Sequence, residues 1–203
     1  MQGASYVPIL CPVGGLLFNG ERCAPCVSKS LTDMKPVITE KEIKARVAEL
    51  GRQISADYRD GRLVVVGVLN GAFIFTADLV RAIEIPLEVD FIRVASYGDK
   101  TCTSGKVSLT KDIELSLAGK DVLLVEDIVD TGCTMKYLVE LIGRRNPASV
   151  RICTLIDKSE RREVELAIDY AGFEISQGFL VGYGLDFAER HRNYPAVFHL
   201  LNP

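Results

Sequence analysis

Apolar residues in this chain follow two rhythms that alternate along its length. Ile43, Val47, Leu50, Ile54 and Tyr58 recur at helical spacing, which gathers them on one face. That run opens on Thr39-Glu40-Lys41-Glu42, a capping box whose hydroxyl and carboxylate satisfy orphan amides at a helix start, and Asp60-Gly61 ends it. The next stretch, RLVVVGVL over 62–69, is too continuous for a half-exposed strand. It suits one buried on both faces of a parallel sheet. A tight Asn70-Gly71 turn leads into a helix expected to turn Phe73, Ala77, Val80 and Ile83 inward. After Pro86, LEVDFIRVASY (87–97) reads as a strand, residues 97–106 as a polar loop, and VSLTKDIEL (107–115) as a short ribbon before a Gly119-Lys120 turn. DVLLVE (121–126) is a second buried strand, 133–145 a helix stopped by Asn146-Pro147, and SVRICTLI (149–156) a third strand. Repeated strand–helix units imply an α/β fold with a doubly wound parallel sheet.

In such sheets ligands sit beyond the carboxyl ends of the strands, so the loops 69–72, 126–134 and 156–160 become candidates. The middle one, EDIVDTGCT (126–134), combines two features that look opposed. Thr131-Gly132-Cys133-Thr134 runs into a helix, where backbone amides and the helix dipole favour an anion. Glu126, Asp127 and Asp130 nevertheless put three carboxylates at its mouth. Acids beside a bare phosphate would repel it. They make sense if the ligand also carries a sugar diol and a divalent metal, with Glu126 and Asp127 meeting the hydroxyls directly or through hydrated Mg²⁺. Neither a Walker loop nor a dinucleotide glycine fingerprint is present.

Composition narrows the rest. With 203 residues, 48% of them hydrophobic, the chain can bury one substantial core. Twenty-four basic against 27 acidic residues leave a net charge of −3 and no basic stripe, which argues against nucleic acid as a partner. No apolar run approaches the ~20 residues of a membrane helix, and the N-terminus is a poor secretory signal. Six cysteines without a regular framework suggest reduced thiols and a cytoplasmic setting. Residues 1–34 hold Cys11, Cys23 and Cys26 with scattered Pro and Gly and no sustained period, so they are expected to be a flexible extension or an upstream start ahead of a domain at 35–203. Cys23-Ala-Pro-Cys26 has metal-knuckle spacing but supplies only two ligands.

Four blocks carry a family resemblance. EDIVDTGCT resembles the phosphoribosyl pyrophosphate motif of the type I phosphoribosyltransferases. VGVLNGAFIFTADL (66–79), VDFIRVASYGDKTCTSGKV (89–107) and GFEISQGFLVGYGLDFAERHRNYP (172–195) are similar, in order, to the first loop, the mobile catalytic loop and the purine-binding segment of its hypoxanthine-guanine branch. The resemblance implies a central parallel sheet flanked by helices, with a small hood built from the N- and C-terminal segments. It implies transfer of a 5-phosphoribosyl group from phosphoribosyl pyrophosphate to N9 of a 6-oxopurine, with Mg²⁺ as cofactor and a dimer or tetramer as the assembly.

By the same resemblance Asp130, Thr131, Gly132, Cys133 and Thr134 cradle the 5-phosphate, and Glu126 and Asp127 hold the ribose hydroxyls. Asp130 also moves the purine N7 proton. Leu69, Asn70, Gly71 and Ala72 form the pyrophosphate loop, which in the family contains a cis peptide bond, and Arg192 binds pyrophosphate. Lys158 donates to the purine 6-oxygen, Phe179 stacks on the ring, and the main chain at Leu180 and Asp186 reads its edge. The metal falls to Glu126, Asp127 and Asp186. Ser96 and Tyr97 close over the reacting centre. Taken without the resemblance, Phe179 would read as core, and Lys158, Glu160, Arg161 and Arg162 as a solvated face. His191 and His199 receive no role. Cys133, Asn70 and Gly178 depart from residues common in the family, at positions that affect affinity more than reaction type. Two alternatives stay open: a xanthine-preferring enzyme, and a non-catalytic regulator that senses phosphoribosyl pyrophosphate on the same fold.

Overall fold

The computed structural model describes residues 34–59, 62–97 and 106–201, with the side chains of 95–97 and 106–107 left out. The segment holding Cys11, Cys23 and Cys26 lies outside the described residues. Strand β1 (Met34–Ile38) leads into helix α1 (Glu40–Asp57), which starts on the expected capping box: Thr39 accepts from the Glu42 amide, and Glu42 accepts from the Thr39 amide. Its apolar face buries Ile43, Val47, Leu50 and Ile54. Leu50 and Ile54 are fully enclosed, so truncating either to Ala would cost about 2–5 kcal/mol.

Strand β2 (Leu63–Leu69), helix α2 (Phe73–Ala82), strand β3 (Leu87–Tyr97) and strand β4 (Lys106–Lys111) follow, then β5 (Asp121–Val129), α3 (Cys133–Gly143), β6 (Ser149–Asp157) and β7 (Tyr170–Glu174). The six-stranded sheet has the order β4-β3-β2-β5-β6-β7, parallel throughout except for β4. Leu63, Val65, Leu123 and Val125 point to one face, into a core shared with α1 and α2. Val64, Val66, Val122 and Leu124 point to the other, against Met135, Leu138 and Ile142 of α3. Burial on both faces is why these strands read as unbroken apolar runs. The free edge at β7 is blocked by Arg46 of α1, whose guanidinium donates to the carbonyls of Gly172 and Ala171 at 3.0 and 2.7 Å. A separate antiparallel sheet joins β1, β9 (Val197–Leu200) and β8 (Phe179–Val181) in the order β1-β9-β8. It is the hood, made from the two ends of the described chain.

Three expectations are corrected. Helix α2 buries Phe75, Thr76 and Leu79, while Phe73 and Ala77 face solvent. Apolar residues occupy several faces of that helix, so spacing alone left its rotation undetermined. Strand β5 runs on to Val129, because Ile128 and Val129 keep pairing with Ile156 and Asp157 of β6. Glu126 and Asp127 therefore belong to a buried strand and not to the loop after it. Helix α3 ends at Gly143, two residues short of the expected 145. Among the described residues no helix is long and apolar enough to cross a membrane.

Candidate active site

The carboxyl ends of β2, β5 and β6 meet at one edge of the sheet. There Glu126 and Asp127 are 8% exposed each. Glu126 Oε1 accepts from the Asp127 amide at 3.1 Å, and Asp127 Oδ1 from the Ile128 amide at 2.9 Å. Burial pushes the Glu126 carboxyl well above its usual range, and the neighbouring Asp127 charge pushes it further. Burial also raises Asp127, against the opposing pull of its hydrogen bonds and the Arg192 charge. The Asn70-Gly71 turn lies directly on this acid: a Cβ on Gly71 would stand 1.9 Å from Asp127 Oδ2, so only glycine fits. The Leu69–Asn70 peptide is cis, as the family pattern implies.

Beyond β5 the chain turns through Asp130 and Thr131 to Gly132, whose φ of +85° caps α3 in the left-handed region. Thr131 Oγ1 accepts from the Cys133 amide at 3.4 Å. The first amides of α3 thus face an open loop, the arrangement that holds an anion. Among the described residues the buried Cys153 is a free thiol.

The segment after β6 packs against this loop. The Lys158 amide donates to the Val129 carbonyl at 3.0 Å, the Glu163 amide to Thr131 at 2.9 Å, and Arg162 Nε to the Asp130 carbonyl at 3.2 Å. Arg162 also pairs with Asp157, and Arg161 Nη1 meets Asp130 Oδ2 at 3.0 Å. Arg161 and Arg162 read from the sequence as a solvated charged face with no role assigned, and Asp157 falls in the candidate loop 156–160 without being named.

A cleft of about 630 Å³ opens between this segment and the hood, lined by Asp127, Asp130, Lys158, Phe179, Leu180 and Asp186 among others. Lys158 is not a solvated residue. It is 6% exposed, and its ammonium donates to the Gly178 carbonyl at 3.1 Å, which leaves donor capacity for a ligand. Phe179 is not core: it is 42% exposed, edge-on to Phe187 with ring centroids 5.4 Å apart. Leu180 is buried in β8. Asp186 is held by Arg192 Nη2 at 2.8 Å and by the Glu189 amide at 2.8 Å, and Arg192 Nη1 donates to the Gly184 carbonyl at 2.8 Å. Ser96 and Tyr97 end β3, and their side chains lie outside the described ones.

A family model described as the phosphoribosyl transferase domain matches residues 37–188. The chain is 49% identical over 163 residues to the hypoxanthine phosphoribosyltransferase of Salmonella typhimurium, covering 79% of this chain and 92% of that protein. It is 49% identical over 168 residues to the hypoxanthine-guanine phosphoribosyltransferase of Dictyostelium discoideum, covering 81% and 93%. A crystal structure of a hypoxanthine phosphoribosyltransferase from Staphylococcus aureus superposes with a TM-score of 0.80 at 41% identity, over 83% of this chain and 92% of that one. Sequence blocks, sheet order and relatives agree: the chain belongs to the phosphoribosyltransferase family, in its hypoxanthine-guanine branch.

Proposed function

We propose that this protein is a purine-salvage enzyme that transfers the 5-phosphoribosyl group of phosphoribosyl pyrophosphate to N9 of hypoxanthine or guanine, releasing pyrophosphate. The observation that carries the base assignment is Lys158. A buried ammonium with unspent donors, in a cleft beside an exposed aromatic ring, suits a flat ligand with an oxygen acceptor at its edge. A 6-oxo group satisfies it; the 6-amino group of adenine leaves it unpaired, a penalty strong enough to discriminate. Phe179 stacks on the ring, and the Leu180 and Asp186 main chain reads the remaining edge.

Asp130, on the cleft wall, accepts the N7 proton as N9 bonds to the anomeric carbon. Thr131, Gly132, Cys133 and Thr134 hold the 5-phosphate through amides and hydroxyls. Glu126 and Asp127 take the ribose diol, while Leu69, Asn70, Gly71 and Arg192 receive the pyrophosphate. Ser96 and Tyr97 close over the centre and exclude water.

Among the described residues no cluster of three or more His, Cys, Asp or Glu side chains is placed to hold a metal by itself. That fits Mg²⁺ brought in with pyrophosphate, since this ion binds through one or two carboxylates plus phosphate oxygens and water. Glu126 and Asp127 would hold one ion and Asp186 a second. Their chemistry there is to neutralise charge on the departing pyrophosphate. A cytoplasmic setting and assembly as a dimer or tetramer belong to the same proposal.

The test is nucleotide formation from phosphoribosyl pyrophosphate and Mg²⁺ with hypoxanthine, guanine, xanthine and adenine supplied separately. Product from hypoxanthine or guanine and none from adenine is expected. Preference for xanthine would correct the base assignment, and absence of product with every base would overturn the reading.

A further inference from the structure

Asp130 is held from three directions, all by one short segment. The Lys158 and Glu163 amides and Arg162 Nε fix the main-chain carbonyls of Val129, Thr131 and Asp130 itself. That leaves the side chain only its own torsions. Of its two oxygens, Oδ1 is enclosed and has no hydrogen-bond partner among the described residues. The other, Oδ2, meets Arg161 Nη1 at 3.0 Å. Among the described residues Arg161 is thus the group that sets the plane of the carboxylate. Its own side chain is 61% exposed and lines the cleft, so the ion pair adds little to the stability of the fold. A contact of small structural worth, made to a group that must receive a proton at a defined position, bears on turnover.

We propose that Arg161 is a positioning residue for phosphoribosyl transfer, holding the Asp130 carboxylate in the orientation from which it accepts the purine N7 proton. This rests on the reading of Asp130 given above. In the step concerned, the N9 lone pair forms the bond to the anomeric carbon. The bond from that carbon to the pyrophosphate oxygen breaks, its electron pair leaving on oxygen. The N7 proton passes to Asp130, which ends the step neutral. A carboxylate free to rotate reaches the proton in fewer encounters, which lowers kcat without weakening phosphoribosyl pyrophosphate binding.

The experiment compares wild type, Arg161→Gln, Arg161→Lys, Asp130→Asn and the double variant Asp130→Asn/Arg161→Gln. Arg161→Gln should lower kcat about tenfold, with the KM for phosphoribosyl pyrophosphate and the melting temperature unchanged. Arg161→Lys should recover part of the loss, because a single contact needs a cation more than a fork. In the Asp130→Asn background Arg161→Gln should change nothing further, because Arg161 acts through that carboxylate. An unchanged or raised kcat in Arg161→Gln overturns the proposal, as does an equal loss in both backgrounds. Full turnover by Asp130→Asn would instead overturn the role of Asp130 itself, a separate and recognisable result.

Discussion

Two places in this protein bury carboxylates equally and treat them in opposite ways. Asp90, in β3, and the Glu126–Asp127 pair, in β5, are each 8% exposed. Asp90 is fully partnered: Oδ1 accepts from the Phe91 amide at 2.7 Å and Lys111 Nζ at 3.2 Å, Oδ2 from the Glu114 and Leu115 amides at 2.6 and 3.0 Å. Burial alone would raise its pKa, but those amides and the ammonium outweigh burial and hold it lowered. Glu126 and Asp127 receive one main-chain amide each, and both are raised, chiefly by burial. An acid whose partners are supplied by the fold is a structural clamp. An acid pair that the fold leaves under-partnered at a cleft keeps acceptor capacity for a ligand, which is the role proposed for it above.

The contrast predicts opposite phenotypes. Asp127→Asn should lower kcat/KM for phosphoribosyl pyrophosphate by about a hundredfold or more if, as proposed, Asp127 holds the ribose diol. Asp90→Asn should leave turnover within a few-fold of wild type. Steady-state assays on the two proteins check this, and similar losses in both would remove the distinction between clamp and site.

Stability should run the other way. Asp90→Ala strips the Phe91, Glu114 and Leu115 amides of their side-chain acceptor and Lys111 of its ion-pair partner here, and should cost about 2–3 kcal/mol in denaturant unfolding at neutral pH. Because the folded pKa of Asp90 is lowered, its contribution is present above its unfolded value near 3.8 and fades as pH falls below that. The variant and wild type should therefore converge in acid. A gap that persists there would mean that shape and not charge is what Asp90 supplies.

Which acid is which was only half legible in the sequence. The run DVLLVED announces a buried strand by its unbroken apolar stretch, and acids at its end stand out against it. Asp90 sits in an equally strand-like stretch, yet its partners at 111–115 come from a separate ribbon, and nothing local points to them. The same limit governs Lys158 and Arg161. They share one charged run, but Lys158 is 6% exposed and the Arg161 side chain 61%, because the hood covers one and not the other. Phe179 opens the apolar triplet Phe-Leu-Val, whose second and third members are buried while the first is left facing the cleft. Pairing of β1 with β9 joins segments about 160 residues apart, at opposite ends of the described residues, which no local period encodes. Periodicity located the sheet, and the motif after β5 marked the loop that leads into α3. Side-chain fates set by distant segments needed the assembled fold.

The smallest expected effect separates the two kinds of acid most cleanly. Glu126 has a folded pKa raised above its ordinary 4.5, so its contribution to stability is fully present below that value. It is lost progressively as pH rises toward the folded pKa. Gln keeps the acceptor for the Asp127 amide but cannot ionise, so it carries no charge for burial and the Asp127 carboxylate to penalise. Ligand-free Glu126→Gln should therefore match wild type near pH 4 and melt a few degrees higher at about pH 7–8. Adding phosphoribosyl pyrophosphate with Mg²⁺ should reverse the order, because a ligand stabilises by its affinity for the folded state and the proposed contact is to the charged pair. Thermal melts across pH, with and without the ligand, measure both halves. A crossing of the two curves is the signature of carboxylates kept under-partnered for a ligand. If wild type is the more stable protein at every pH without ligand, Glu126 is a clamp like Asp90.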